Sequence, residues 1–297
     1  MKSAPFEYSR ATSVDEACAM LAADENARVI AGGQTLVPMM AMRLARPARL
    51  VDIARITALS YIREDAGAVA IGATTRQCLV ERDILVAAKL PLLARAIPFI
   101  GHAATRARGT VGGSLAHADP AAELALIAVT LDAVLSYRAA NKTTDIPARE
   151  FFVGPMVTAL PEGAMLTGVR LPVWSGKIGV GFHEVNARRS DFAFVSAAAQ
   201  IERGNDGKAK RIAIGVGAAT DCPIRLYAAE MQLTNTTLDA AKVKSAVIEA
   251  LADIEPLEDL HATGAYRRRV AATLAARAVA DAWAHAQEKT QRTTHAH

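Results

Sequence analysis

The sequence predicts an α+β fold of two domains, and three observations lead to it. In the first third of the chain, short apolar runs alternate with stretches of helical spacing. Further on, the apolar runs 193–202 and 211–217 flank a turn at 205–207, which predicts an antiparallel hairpin. Two stretches of helical spacing, 238–251 and 265–286, follow the hairpin. The length of 297 residues fits about two domains.

The first 57 residues predict a small α/β layer. Ser13 and Glu16, three residues apart, form a capping-box pattern at the start of a helix. The apolar run after that helix ends in Gly32-Gly33, a pair that stops a strand. The elements expected after the first helix are a strand over 28–31, a helix over 36–44 and a strand over 50–53.

The next block predicts further strands and helices around one long loop. The expected strands are 69–72, 133–138 and 164–171, and the expected helices are 75–81, 91–100 and 121–130. Residues 101–120 contain four glycines and show no clear periodicity. Loops of this length inside compact domains usually have a function. We therefore expect an ordered, functional loop there.

Composition excludes several classes of protein. The net charge of +4 is small, and basic stripes interleaved with aromatic residues are missing, which argues against a nucleic-acid binder. Three scattered cysteines fit a reducing compartment and are fewer than the four ligands of an iron–sulfur cluster. The N-terminus lacks a signal peptide, and the longest apolar run, 124–131, is too short to span a bilayer. We expect a soluble, cytoplasmic protein without a transmembrane segment.

The sequence gives little evidence for a metal site or a hydrolytic active centre. Only His295 and His297, on a polar tail, have metal-ligand spacing, and we expect no functional metal there. No pattern resembles a Ser-His-Asp centre or a pair of catalytic carboxylates. We therefore expect no catalytic side chain on this chain.

Two glycine loops, 31–35 and 110–114, are the candidates for chemistry. Adjacent glycines allow positive φ and lack Cβ atoms, so successive N–H groups can converge on one anion. Thr35, at the start of a helix, adds a hydroxyl and the positive end of the helix dipole. Neither loop matches GxGxxG or GxxxxGK[ST]. A phosphate site and a pair of structural turns both remain open on this evidence.

Longer segments around both loops resemble one flavoprotein family. Residues 31–44, AGGQTLVPMMAMRL, resemble the first FAD loop of the FAD-binding (medium) subunits of molybdenum hydroxylases, which include aerobic carbon monoxide dehydrogenase and xanthine dehydrogenase. Residues 108–123, RGTVGGSLAHADPAAE, resemble the second FAD loop. Residues 188–193, RRSDFA, are similar to the Arg-x-x-Asp-aromatic-Ala stretch of the family. The resemblance extends over nearly the whole chain.

The resemblance implies a particular division of the chain. A two-lobed FAD-binding domain of the PCMH type is expected over 1–177, with lobes of about 1–57 and 58–177. A C-terminal domain with an antiparallel sheet and packed helices is expected over 178–287. A polar tail, 288–297, completes the chain.

The resemblance also implies FAD as the cofactor and a set of residues that bind it. One group is expected at the diphosphate: Gly32, Gly33, Gln34 and Thr35 would wrap it, with Leu36 packed beneath, and Thr110, Gly113 and Ser114 would approach from the other side. Ala31, at the start of the first loop, is also expected to bind the cofactor. A second group is expected elsewhere on the cofactor. Ala116, His117 and Glu123 would lie near a sugar, the adenine or the ribityl chain, and Leu166 would pack on the flavin or the adenine. Asp191 and Phe192 would lie beside the isoalloxazine, where Phe192 would stack on the ring. Some relatives have a Lys where this chain has His183 and Glu184, so no acceptor preference is implied.

The implied function is that of an electron-transfer subunit. A large partner would oxidise the substrate at molybdopterin, a small partner would carry [2Fe-2S] clusters, and FAD on this chain would pass electrons to an external acceptor. The family assembles as dimers of heterotrimers. A stand-alone FAD-dependent oxidoreductase and a non-catalytic assembly scaffold remain as alternatives. The substrate stays open, as does the acceptor, which could be NAD, a quinone, a cytochrome or oxygen.

Overall fold

The computed structural model describes residues 2–294, with side chains described as far as residue 288. His295 and His297, the two histidines with metal-ligand spacing, lie outside the described residues. Within that range, no helix combines the length and the apolar character that crossing a membrane requires.

The first lobe is a three-stranded parallel sheet with the strand order β1-β3-β2. Its elements are β1 (Glu7–Arg10), α1 (Val14–Ala22), β2 (Ala27–Ile30), α2 (Leu36–Ala41) and β3 (Arg49–Asp52). The Ser13 hydroxyl caps α1 by accepting a hydrogen bond from the N–H of Glu16 at 3.1 Å, as the capping pattern predicts. Helix α2 ends earlier than expected, because Arg43 adopts a left-handed φ of 61°.

The second lobe is a five-stranded antiparallel sheet with the order β4-β5-β10-β6-β7. Its strands are β4 (Ile62–Asp65), β5 (Ala68–Gly72), β6 (Val134–Ala139), β7 (Lys142–Pro147) and β10 (Met165–Pro172), and β8 (Phe152–Gly154) pairs separately with β9 (Val157–Thr158). Its helices are α3 (Gln77–Arg82), α4 (Ile84–Lys89), α5 (Pro91–Ala96), α6 (Ala103–Arg108), α7 (Val111–His117), α8 (Glu123–Thr130) and α9 (Ala148–Phe151), with 3-10 turns at Thr57–Leu59 and Ile97–Phe99.

The expectation of one long loop over 101–120 is wrong, because α6 and α7 occupy most of it. Thr110 caps α7, since its hydroxyl accepts a hydrogen bond from the N–H of Gly113 at 3.1 Å. Gly112 lets α7 pack closely, because a Cβ atom there would lie 2.5 Å from the Cβ of Ala73. Helices this short depend on tertiary packing, which the local sequence pattern does not reveal.

The C-terminal unit is a four-stranded antiparallel sheet covered by helices. The strands, β11 (Lys177–Val185), β12 (Val195–Arg203), β13 (Ala209–Gly217) and β14 (Ile224–Arg225), lie in sequence order. The helices are α10 (Tyr227–Leu233), α11 (Ala240–Ala250) and α12 (Gly264–Thr294). The predicted hairpin is present as β12 and β13. The polar segment from Glu288 continues α12 as far as Thr294.

Both faces of the C-terminal sheet are buried. On one face α12 contacts the backbone of β11, where a Cβ on Gly181 would lie 2.1 Å from the carbonyl oxygen of Ala278. On the other face α8 approaches β13, where a Cβ on Gly215 would lie 1.9 Å from the Thr130 hydroxyl. The second lobe and the C-terminal sheet therefore share one apolar core.

Candidate functional site

The two glycine loops meet backbone to backbone. A Cβ atom on Gly32 would lie 2.4 Å from the carbonyl oxygen of Arg108 and 3.0 Å from the Cα of Gly109. Contact at this range excludes every side chain at position 32. The Arg76 guanidinium also donates to the carbonyl oxygen of Arg108, which ties α3 to the junction. The structure thus brings together two segments that are far apart in the sequence.

The first loop presents a row of unbonded N–H groups. Within the described part of the chain, no acceptor is bonded to the N–H groups of residues 32–36. Gly33 has a φ of 68°, a conformation that glycine adopts without strain. Thr35 stands at the start of α2, and its hydroxyl makes no capping hydrogen bond. Free N–H groups, a free hydroxyl and a helix start together suit an anion such as a phosphate.

The second loop contributes differently, because its N–H groups already have acceptors. The N–H of Val111 donates to the carbonyl of Thr75 at 3.0 Å, and that of Gly112 to Ala73 at 2.9 Å. The N–H groups of Gly113 and Ser114 both bond to Thr110. Helix α7 nevertheless exposes Gly113 and Ala116 and leaves Ser114 and His117 half-buried. This loop therefore offers a surface of small residues with a hydroxyl and an imidazole.

Arg106 has a structural role in the arrangement. Its guanidinium forms two hydrogen bonds of 2.8 Å to the Glu81 carboxylate and also donates to the carbonyls of Ile100 and Gly101. The same guanidinium holds the pKa of Glu81 below its usual value. With its donors occupied, Arg106 fixes α6 against α3 instead of facing a ligand. Arg108, by contrast, has an exposed side chain.

An acidic pair lies where α8 begins. Burial raises the pKa of Glu123 to about 7, and the negative charge of Asp119 adds to the rise. Burial also raises the pKa of Glu184, on β11, to about 8, and the charge of Glu123 contributes. Asn186 donates a hydrogen bond of 2.8 Å to Glu184 and contacts the carbonyl of Asp191 at 3.4 Å. Glu184 is therefore linked through Asn186 to the segment that carries Phe192.

The remaining predicted site residues fall into three places. Ala31 and Leu36 flank the first loop and are half-buried, while Gln34 is exposed and its amide contacts the carbonyl of Gly32 at 3.4 Å. Leu166 lies in the shared core with 4% of its surface exposed. Phe192 is 73% exposed, next to the exposed Asp191. The roles of these side chains toward the cofactor remain predictions.

The junction of the loops was not deducible from the sequence. Arg76 and Ala73, which hold the second loop in place, carry no sequence signal for that role. Glu184 stood out only as a departure from relatives, and its interaction with Glu123 depends on the packing of α8 against β12 and β13. The residues present fit a cofactor that carries a diphosphate, since unbonded N–H groups and close-packed glycines are what such a group requires.

Two family models match the chain. The FAD binding domain in molybdopterin dehydrogenase matches residues 4–174. The CO dehydrogenase flavoprotein C-terminal domain matches residues 181–282. Together the two models extend over both lobes and the C-terminal sheet, and the first contains both glycine loops.

Individual proteins are similar to the chain over almost its full length. The 6-hydroxypseudooxynicotine dehydrogenase complex subunit alpha of Paenarthrobacter nicotinovorans is 35% identical and aligned over 95% of this chain and 96% of its own. The carbon monoxide dehydrogenase medium chain of Hydrogenophaga pseudoflava is 34% identical, over 94% and 97%. A chain of reconstituted CO dehydrogenase from Oligotropha carboxidovorans superposes with a TM-score of 0.93 at 32% identity, over 96% and 100%.

Proposed function

The chain belongs to the FAD-binding medium subunits of molybdenum hydroxylase-type dehydrogenases, and from this premise we propose that it works as the electron-transfer subunit of such a complex. Its FAD would take electrons from [2Fe-2S] clusters of a small partner subunit and pass them to an external acceptor. A large partner subunit would oxidise the substrate at molybdopterin. The proposed assembly is a dimer of such heterotrimers.

The contact of Gly32 with the Arg108 carbonyl carries the proposal, because it joins the two loops into one site. The N–H groups of residues 32–36 and the Thr35 hydroxyl would hold the FAD diphosphate. Gly113, Ser114 and Ala116 would lie against the cofactor from the side of α7, where their small size permits close approach. His117 and Glu123 would face its sugar, adenine or ribityl portion.

The chain's own side chains would bind and orient the cofactor rather than transfer protons to a substrate. Bound FAD supplies the redox chemistry, because it exchanges electrons singly or in pairs. Phe192, whose ring is largely exposed, would cover one face of the isoalloxazine by stacking. Leu166, inside the shared core, would support the pocket from below.

The similarity pattern supports a substrate choice made outside this chain. One relative's name refers to 6-hydroxypseudooxynicotine and another's to carbon monoxide, yet the two are 35% and 34% identical to this chain. Substrates so different in size and polarity need different pockets. A flavin subunit of nearly constant fold is compatible with both, so we assign substrate selection to the large partner.

Electron transfer through the chain is testable in the assembled complex. The complex would be mixed rapidly with its substrate without an acceptor, while flavin absorbance and the iron–sulfur signal are followed. We expect the flavin to be reduced after the clusters. In a complex with Gly33→Val, we expect the clusters to be reduced and no flavin signal, because valine is strained at a φ of 68°.

Other results would support the alternatives. A purified chain that reduces FAD with a small-molecule substrate, without partners, would indicate a stand-alone oxidoreductase. A complex in which FAD stays oxidised while the clusters are reduced would indicate an assembly scaffold. Either result would contradict the electron-transfer proposal.

A further inference from the structure

The apolar interface between β11 and the second lobe ends in a carboxyl group. Side chains alternate along a strand, so Ile178, Val180 and Phe182 share one face of β11, and these three lie in the shared core. Glu184 is the next residue on that face. The strand therefore places a carboxyl group, instead of another apolar side chain, at the end of a buried seam.

Helix α8 brings a second carboxyl group to the same end of the seam. Thr130 opposes Gly215, and Leu126, one turn earlier, opposes Gly217, so α8 runs along the sheet toward its first residue. Glu123 is that residue, about one turn before Leu126. Its negative charge contributes to the raised pKa of Glu184.

Polar atoms at this end of the seam lack partners. The Oε2 atom of Glu184 is buried and makes no hydrogen bond. Ser196 pairs with Glu184 in the register of β11 and β12, is 1% exposed, and also has an unbonded hydroxyl. A buried carboxylate without a donor is costly, whereas a protonated carboxyl group is not.

The charged groups around the pair do not neutralise it. From the segment before α8, Asp119 adds a negative charge next to Glu123. The Arg106 guanidinium lowers the pKa of Glu123 by less than burial raises it, and Arg106 is itself paired with Glu81. The Nε2 atom of His117 lies 3.9 Å from the Oδ2 atom of Asp119. On the C-terminal side, Asn186 is the polar group bonded to Glu184.

Neighbouring histidine and aspartate side chains on the C-terminal unit point elsewhere. His183 is on the opposite face of β11, where its ring lies 2.9 Å from Asp281 of α12. Within the described residues, no hydrogen bond links His183 or Asp281 to Glu184. Among the described residues, the cation that acts on Glu123 is Arg106, and Arg106 is already paired with Glu81.

We propose that Glu184, next to Glu123 at the boundary between the second lobe and the C-terminal domain, carries a proton when FAD is bound, and that FAD binding beside the two carboxyl groups is coupled to uptake of a proton. This inference rests on the proposed function, since it needs FAD in the site formed by the two loops. In the proposed site, FAD would bring a negative diphosphate and would shield the partly buried Glu123 and Glu184 further from water. Both effects oppose a second negative charge on the pair.

The coupling has a definite sign. The pKa of Glu123 is raised to about 7 and that of Glu184 to about 8, so the two carboxyl groups lose their protons within the neutral to mildly alkaline range. The two groups interact, so the loss belongs to the pair. FAD affinity therefore falls as the pH rises through this range.

The test measures FAD binding to the full-length chain after removal of its flavin, at pH values of about 6 and about 9. For one linked proton the affinity changes up to about tenfold per pH unit, and we expect the dissociation constant of the wild type to rise at least about tenfold. Glu184→Gln, an uncharged replacement of the same shape, is expected to bind FAD with nearly the same affinity at both pH values. Glu64→Gln, at an exposed carboxylate on β4, is the matched control and should behave like the wild type.

Calorimetry in two buffers of different ionisation enthalpy gives the number of protons taken up directly. We expect uptake by the wild type near neutral pH and none by Glu184→Gln. Equal affinity at both pH values in the wild type, or an unchanged pH dependence in Glu184→Gln, would overturn the inference and leave FAD binding intact. A chain that binds no FAD at any pH would overturn the proposed function as well.

Discussion

The backbone of Gly32 lies directly against the carbonyl of Arg108, at a separation that leaves no space for a Cβ atom. This contact holds the start of α2 beside α6 and the loop that follows it. It gives a steric reason for glycine at position 32 that does not depend on a positive φ. The contact also makes the geometry of the first loop dependent on the second.

We predict that Gly32→Ala separates the two loops and releases FAD. The new Cβ would lie 2.4 Å from the Arg108 oxygen, which is backbone and cannot rotate away. Loss of even one hydrogen bond to a charged phosphate, about 1.5–3 kcal/mol, lowers affinity about tenfold or more. The ratio of flavin to protein after gel filtration measures the effect, with circular dichroism to monitor folding.

Gly154→Ala is the matched control for this substitution. Its new Cβ would lie 3.8 Å from the Cβ of Val157, which is an ordinary van der Waals contact. We expect this variant to retain flavin as the wild type does. Full flavin retention by Gly32→Ala would show that the loops tolerate separation, which contradicts the proposed joint site.

A second prediction concerns the contact of α12 with β11. In Gly181→Ala the added Cβ would lie 2.1 Å from the Ala278 carbonyl oxygen, so the helix must shift. Overpacking of this kind typically costs about 1–3 kcal/mol. We expect the free energy of unfolding of the full-length chain, measured with denaturant, to fall by that amount. An unchanged value would mean that α12 adjusts without loss of packing.

Much of the fold was predictable because local patterns and tertiary contacts agree there. In the first lobe, α1, β2, α2 and β3 appear within a few residues of their expected bounds, whereas β1 was not predicted, and the hairpin of β12 and β13 is confirmed. β11 was not predicted, because Gly179 and Gly181 interrupt its apolar pattern. Those glycines are explained by the close approach of α12, a contact that no local pattern contains.

The candidate site was predictable only in parts. The sequence identified both glycine loops from their adjacent glycines, and the family resemblance indicated FAD. It could not show that Gly32 meets Arg108, that the N–H groups of the second loop are already bonded, or that Arg106 is occupied by Glu81. Each of these depends on how α6 and α7 pack against the lobes. The domain boundaries and the individual cofactor contacts remain predictions.

We further predict that Arg106 and Arg108 differ in their effects on stability. Arg106→Ala leaves the Glu81 carboxylate without its partner and the carbonyls of Ile100 and Gly101 without this donor. Removal of one partner from a fully buried ion pair costs about 3–5 kcal/mol. Because Glu81 is partly exposed, we expect a loss of about 2–3 kcal/mol. Arg108→Ala, at an exposed side chain, should change stability by less than about 0.5 kcal/mol. Thermal unfolding of both variants without flavin makes the comparison, and equal losses would contradict the structural role of Arg106.

The acidic pair predicts how the stability of the flavin-free chain depends on pH. The pKa of Glu184 rises from 4.5 to about 8 on folding, so the folded state binds more protons than the unfolded state between these values. Stability therefore falls as the pH rises from about 5 to about 8, and levels off above that range. Each unit of pKa difference corresponds to about 1.4 kcal/mol, and solvent exposure of the carboxyl group reduces the effect.

Glu184→Gln isolates this contribution. Glutamine cannot lose a proton, so we expect the variant to lose less stability than the wild type between pH values of about 5 and 8, by at least about 1.4 kcal/mol. Glu64→Gln should follow the wild type, since the Glu64 carboxylate is exposed on β4. Denaturant unfolding at a series of pH values provides the measurement. If the curves of Glu184→Gln and the wild type run parallel across this range, Glu184 is ionised in the folded chain and the proposed protonation of Glu184 is wrong.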